Sequence, residues 1–183
     1  MTQTHQILRN PKTGQSIQFV STGRDTAGQL LHMEATYRAH STEPAAHYHP
    51  HQVEDFTVLA GELTVQIHGQ TRTLQPGDTL HVPQNTVHSM WNASDAETKV
   101  DWQVRPALDM EVFFRTTFGL AADGRTGPDG MPPFLQTVLL ARHFSSVFRL
   151  AKPPRLVQQL IFGALSPIAY LAGYRPTYGK YLD

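Results

Sequence analysis

The 183-residue sequence contains no cysteine, which excludes disulfide bridges and thiolate metal ligands together. Charge is scarce, at 16% of residues, and it cancels: 15 Lys and Arg stand against 15 Asp and Glu. No block of one sign runs along the chain, so the electrostatic footprint of a nucleic-acid binder is missing. A spanning helix needs about 20 apolar residues. The uncharged stretch Leu160–Tyr174 is shorter than that and is interrupted by Gly163 and Pro167. Met1–Asn10 has none of the apolar character of a signal peptide, so the cytoplasm is the expected compartment. Hydrophobic residues make up 40% of the chain, enough for a core in one domain with an appendage.

What the sequence does have is histidine. There are ten, and His40, His47, His49 and His51 crowd into one short internal stretch. Imidazole is the commonest protein ligand for metals and the side chain that titrates nearest neutrality. A cluster of this kind therefore suggests a metal site or a pH-sensitive surface.

The first hundred residues read as short strands divided by turns. Ile17–Val20 and Leu30–Arg38 are candidate strands, and Leu63, Val65 and Ile67 alternate with polar neighbours at the period of a half-buried strand. Gly69-Gln70 predicts a hairpin reversal into Thr71–Leu74. Pro76-Gly77-Asp78 and Pro83-Gln84-Asn85 punctuate the next strands, Thr79–Val82 and Val87–Trp91, and Lys99–Val104 closes the series. Strands at such spacing predict a sandwich or barrel, not a parallel α/β sheet.

His47 and His49 are two apart, so on a strand both rings share a face. Glu54 has the wrong parity to join them on one continuous strand, which requires a bend, and Pro50-His51-Gln52 offers it. Beyond the bend Glu54, Phe56 and Val58 share a face, and His88 arrives on a separate strand. Three imidazoles and one carboxylate suit a divalent transition metal such as iron, manganese, nickel or zinc. Any one of these histidines alone reads more simply as a surface residue. His51 suits a supporting or solvent-facing place better than ligation, and His81 has no assigned role.

These residues resemble the paired motifs of the cupin superfamily. His47-Tyr48-His49, four residues, Glu54, six residues and Gly61 follow its first motif. Gly77, Pro83, His88 and Asn92 fall at the positions of its second, with Asn85 where the family usually has Gly. Asparagine tolerates a left-handed backbone well, so the turn can persist. The resemblance implies a jelly-roll β-barrel domain over residues 1–105, its likeness extending over about 15–105. It also implies one divalent metal held by His47, His49, Glu54 and His88, with coordination positions left open. Asn92 fits a brace for its turn.

Related cupins include dioxygenases, isomerases, decarboxylases and cyclases, and fold alone does not choose among them. Phe56, Met90, Trp102 and Arg38 are the candidate substrate contacts, in a pocket expected to be apolar and aromatic. The expected function is a metal-dependent, dioxygenase-like enzyme for a small organic molecule. A metal-dependent cyclase or isomerase is the alternative, and a ligand-binding cupin without turnover is another.

Residues 106–183 read as a helical extension. Asp109–Leu120 predicts one helix and Ala121–Pro133 a loop. Phe134, Leu135, Val138, Leu139, Phe144, Val147 and Phe148 form an apolar stripe at helical spacing. Arg155 to about Gly173 predicts a last helix, kinked or split at Pro167. These helices are expected to pack on the barrel or on a twofold partner, giving a homodimer. Membrane-interface contact is the less favoured reading, although Lys152, Arg155 and Arg175 flank the apolar run.

Overall fold

A computed structural model describes residues 6–182. The first residues of the expected 1–105 domain, the first half of Met1–Asn10 and the C-terminal Asp183 lie outside them. Ten strands come first: β1 (Ile7–Arg9), β2 (Gln15–Ser21), β3 (Leu31–Tyr37), β4 (His47–Tyr48), β5 (Val53–Ala60), β6 (Leu63–Ile67), β7 (Gln70–Leu74), β8 (Thr79–Val82), β9 (His88–Trp91) and β10 (Thr98–Arg105). Then follow α1 (Met110–Ala122), α2 (Phe134–His143), the short strand β11 (Arg149–Leu150) and α3 (Arg155–Leu171). The strands form two antiparallel sheets, ordered β1-β2-β3-β10-β5-β8 and β11-β4-β9-β6-β7, in a jelly-roll arrangement.

The period-two pattern decides what faces inward. On β3 Leu31, Met33, Ala35 and Tyr37 are buried, and on β5 Glu54, Phe56 and Val58 are. From the other sheet Leu63, Val65 and Ile67 join the same core. Each large apolar side chain removed from water in this way contributes about 2–3 kcal/mol.

The turns carry the register. β6 and β7 pair Ile67 with Gln70, so the reversal is made by His68-Gly69, one residue earlier than the sequence reading placed it. Both residues have positive φ, 52° and 73°, as the tightest hairpin turn requires. Asn85 has φ 61°, so asparagine does adopt the left-handed conformation there. Asn92 is fully buried and its amide donates to the carbonyls of Tyr37 (3.3 Å), Arg38 (3.0 Å) and Ala96 (2.6 Å). That side chain braces the end of β9 against the other sheet.

The extension departs from a purely helical appendage. The apolar stripe ending at Phe148 is helical only to His143, after which Phe144 caps α2 and Ser145-Ser146 turns the chain. Serine is a weak helix former. Phe144 and Val147 are buried all the same, in the core beside the barrel. The chain then adds β11 to the smaller sheet, pairing Arg149 with Tyr48 and Leu150 with His47. α3 runs through Pro167 without ending, although that residue has no N–H to give to the preceding turn. No helix among the described residues is long and apolar enough to cross a membrane.

Candidate metal centre

The bend at Pro50-His51 turns the chain between β4 and β5, and His47 lies directly opposite His88 where β4 pairs with β9. Candidate ligand nitrogens of His47, His49 and His88 all lie within 4.8 Å of one another. Glu54 enters from the facing sheet, its Oε2 3.2 Å from His49 Nε2 and 3.0 Å from His88 Nε2. The structure thus brings together the four residues that the sequence motifs single out.

The donor chemistry follows from what stands behind each ring. Nδ1 of His47 faces the Ala45 carbonyl at 2.9 Å, that of His88 the Thr86 carbonyl at 2.9 Å, and that of His49 the Val147 carbonyl at 2.5 Å. A carbonyl oxygen can only accept, so each Nδ1 carries the proton and each Nε2 presents a lone pair. Trp102 Nε1 donates to Glu54 Oε1 at 3.0 Å, which leaves Oε2 turned toward the histidines. His49 Nε2 and Glu54 Oε2 are buried and lack an aligned hydrogen bond. Orphaned buried polar atoms are costly. Two of them on converging donors are what a bound cation would satisfy, so the residues present fit a divalent metal.

Electrostatics agree. Burial, reinforced by His88 and His49, pushes His47 down to about 3, so it is a neutral donor at any ordinary pH. Burial alone would raise the Glu54 carboxyl, but the His49 and His88 rings outweigh it and hold the group well below the usual range. At His49 burial works against the imidazolium, yet the Glu54 charge, its contact and the Val147 carbonyl together raise the pKa. Without a cation, a proton on His49 offsets the buried carboxylate, and a metal must displace it. The raised pKa means this competition begins at a higher pH than for a free histidine. Metal affinity should be highest at alkaline pH and fall about tenfold per pH unit once His49 is protonated. Competitive chelator titrations between pH 8 and 6 read this directly, and a flat affinity would remove His49 from the ligand set.

Above the centre lies a cavity of about 210 Å³. Phe56 and Met90 line it beside the candidate ligands His47, His49 and His88, and Trp102 does so while stacked on Phe56 at 5.3 Å. Arg38 is not in the lining. Tyr37 takes the inward position at the end of β3, while Arg38 is exposed, lies over Gly14 and donates to the Lys12 carbonyl at 3.2 Å. His51 is exposed at the bend, and His81 is paired with Asp55 at 2.7 Å on the surface.

Several cavity residues were not anticipated. Phe148 stacks on His47 at 4.8 Å and on Phe113 at 4.9 Å, so the extension forms one wall. α1 contributes Met110, Phe114 and Phe118. The isolated Val147-Phe148 pair after two serines was the available signal, but it continues a helical stripe and reads naturally as helix.

Residues 33–104, the segment that carries this centre, match the Cupin domain family. The chain belongs to the cupin superfamily. Within it, 70 residues are 46% identical to the quercetin 2,3-dioxygenase of Bacillus subtilis (strain 168); they cover 38% of this chain and 20% of that protein. This chain thus matches about a fifth of that relative's length. Among solved structures, an RmlC-like cupin from Shewanella frigidimarina NCIMB 400 superimposes with TM-score 0.50 at 19% identity, covering 59% of this chain and 89% of the other. That likeness concerns the fold.

Proposed function

We propose that this cupin is a metal-dependent enzyme of the oxygenase type, acting on a small, largely apolar or aromatic molecule. The observation that carries the reading is the aromatic-walled cavity that opens directly onto the His47, His49 and His88 donors, with Glu54 against two of them. Its 210 Å³ exceeds the ~150 Å³ of an engineered cavity known to hold benzene, so a substituted ring fits inside. The 70-residue likeness to quercetin 2,3-dioxygenase supports the same class of chemistry.

A divalent ion there would supply Lewis acidity and, if redox-active, electron transfer to oxygen. The protein's own residues account for the rest. Phe56, Met90 and Phe148 exclude water and hold an apolar ring by contact area. Tyr37 lines the cavity with its pKa raised by burial and by the Glu54 charge, so its hydroxyl stays protonated and can donate to an oxygen of the substrate. Trp102 fixes the Glu54 carboxylate, keeping one oxygen on the donor cluster.

The test is oxygen uptake by protein loaded with iron, manganese, nickel or zinc, across catechols, flavonoids and diketones. Uptake that depends on one such compound and disappears in His88→Ala is expected. Turnover without oxygen uptake would identify a cyclase or isomerase instead. Saturable binding without any turnover would identify a ligand-binding cupin.

A further inference from the structure

Helix α3 is amphipathic in the wrong sense for a helix that packs by its apolar side. Leu156, Val157, Leu160, Ile161, Ile168 and Leu171 are exposed, between 38% and 89%. At 3.6 residues per turn they fall on one arc of about 140°. The opposite arc, with Gln158, Phe162, Ser166 and Ala169, is the one turned toward protein; of these Phe162, Ser166 and Ala169 are buried. Within one chain, then, the helix leaves its apolar side uncovered.

The segment that carries this face is cationic. Between Asp129 and Asp183 there is no acidic residue, but there are Arg142, Arg149, Lys152, Arg155, Arg175 and Lys180. Arg142, Arg149 and Arg155 line one cleft between α2 and α3, together with Gln158, Gln159 and Phe162. The Lys and Arg ion pairs among the described residues are Arg105–Asp55, Arg115–Glu111 and Lys180–Asp123. The three cleft arginines thus have no carboxylate partner among the described residues.

We propose that α3 and the adjoining arginine cleft dock this protein on an anionic lipid surface. The helix would lie in the plane of the headgroups, its exposed leucines and isoleucines in the acyl boundary and the arginines on lipid phosphates. Its 17 residues span about 25 Å, a length suited to lying along the interface. A second copy of the chain is the competing occupant of the apolar arc, and the assembly state without lipid separates the two. The docking face also adjoins the metal cavity: Ala141 lines both the cavity and the arginine cleft, and Leu150, next to Arg149, lines the cavity.

Co-sedimentation of the full chain with vesicles tests this. Vesicles of mixed phosphatidylglycerol and phosphatidylcholine should bind it at least about tenfold more strongly than phosphatidylcholine alone, and 0.5 M salt should remove that advantage. Each cation near such a surface is worth roughly fivefold, so the double variant Arg142→Ala, Arg155→Ala should weaken binding about 25-fold. Leu160→Glu should abolish it, and so should Ile168→Glu. Both side chains are more than half exposed, so metal content and circular dichroism should stay as in wild type and separate loss of docking from misfolding. Equal binding to neutral vesicles, or none to either kind, overturns the proposal. So does a dimer, seen by light scattering without lipid, that Leu160→Glu dissociates, because the face would then be covered by a second copy.

Discussion

His88→Ala should lose its metal, with affinity falling by more than about 100-fold, whereas His51→Ala and His81→Ala should keep it. Removing an outer partner of a metal ligand already costs 10–100-fold, and His88 is itself one of the clustered donors, 2% exposed with its Nδ1 held by a backbone carbonyl. His51 and His81 are exposed and turn away from the cavity. His49→Ala should lose metal as well. It also frees the Val147 carbonyl, so the variant should loosen the C-terminal segment beyond what chelation of the wild type does. Glu54→Gln should be nearly as damaging as the histidine changes. Trp102 Nε1 donates to one carboxylate oxygen, and in glutamine the amide oxygen would take that place. The NH₂ group would then face the cluster, where it can donate but cannot ligate. Metal analysis of purified variants and competitive titration measure all of this. Thermal melting gives a second reading: at a free metal concentration about 100 times Kd, binding adds about 2.7 kcal/mol to wild-type stability. Retention of wild-type metal by both His49→Ala and His88→Ala would mean that the ligand set is wrong.

The centre was legible because its residues obey local rules. Parity on a strand, a bend at Pro50 and a turn before His88 are short-range facts, and the sheet pairing of His47 with His88 only completes them. Phe56 and Met90 followed from the same parity, each two residues beyond a proposed ligand on its strand. Arg38 failed for a related reason: it stands one residue past the inward Tyr37, so the alternation puts it outside. What could not be read was contributed from a distance. Phe148 and the Val147 carbonyl reach the histidines from about a hundred residues away, and nothing near His49 encodes them. Apolar periodicity continues across Ser145-Ser146, so the end of α2 and the strand β11 were masked by a pattern that two different structures share. On α3 the sequence shows an uncharged apolar run but not which side of it faces protein. A stripe seen in sequence is silent about whether protein, lipid or a second copy covers it, and only the burial of Phe162, Ser166 and Ala169 shows which side faces the protein.

Gly61→Ala should destabilise the fold by about 3 kcal/mol, combining left-handed strain with a steric clash. Gly61 ends the strand that carries Glu54, with φ 73°, where an alanine costs roughly 1–2 kcal/mol in backbone strain alone. The added methyl would also stand 2.3 Å from the Glu97 carbonyl oxygen and 2.8 Å from Thr98 Cα. Those atoms are backbone, so no side-chain rotation relieves the overlap. They are also fixed from the other side, because the buried Thr98 hydroxyl donates to the Glu62 carbonyl at 2.6 Å. Relief requires β10 to move away from the β5–β6 turn, and β10 is the strand paired with both β3 and β5. Gly77 separates the two effects. Its φ is 91° and nothing lies within 4 Å of the position a Cβ would take, so Gly77→Ala should carry the strain and no clash. Urea denaturation of the chelated forms should place Gly77→Ala about 1 kcal/mol below wild type and Gly61→Ala about 3 kcal/mol below, with similar m values. In a chain of this size that difference corresponds to a melting point about 4–8 °C lower for Gly61→Ala than for Gly77→Ala. Equal losses in the two variants would show that β10 gives way freely, and that conformation alone accounts for the glycine at position 61.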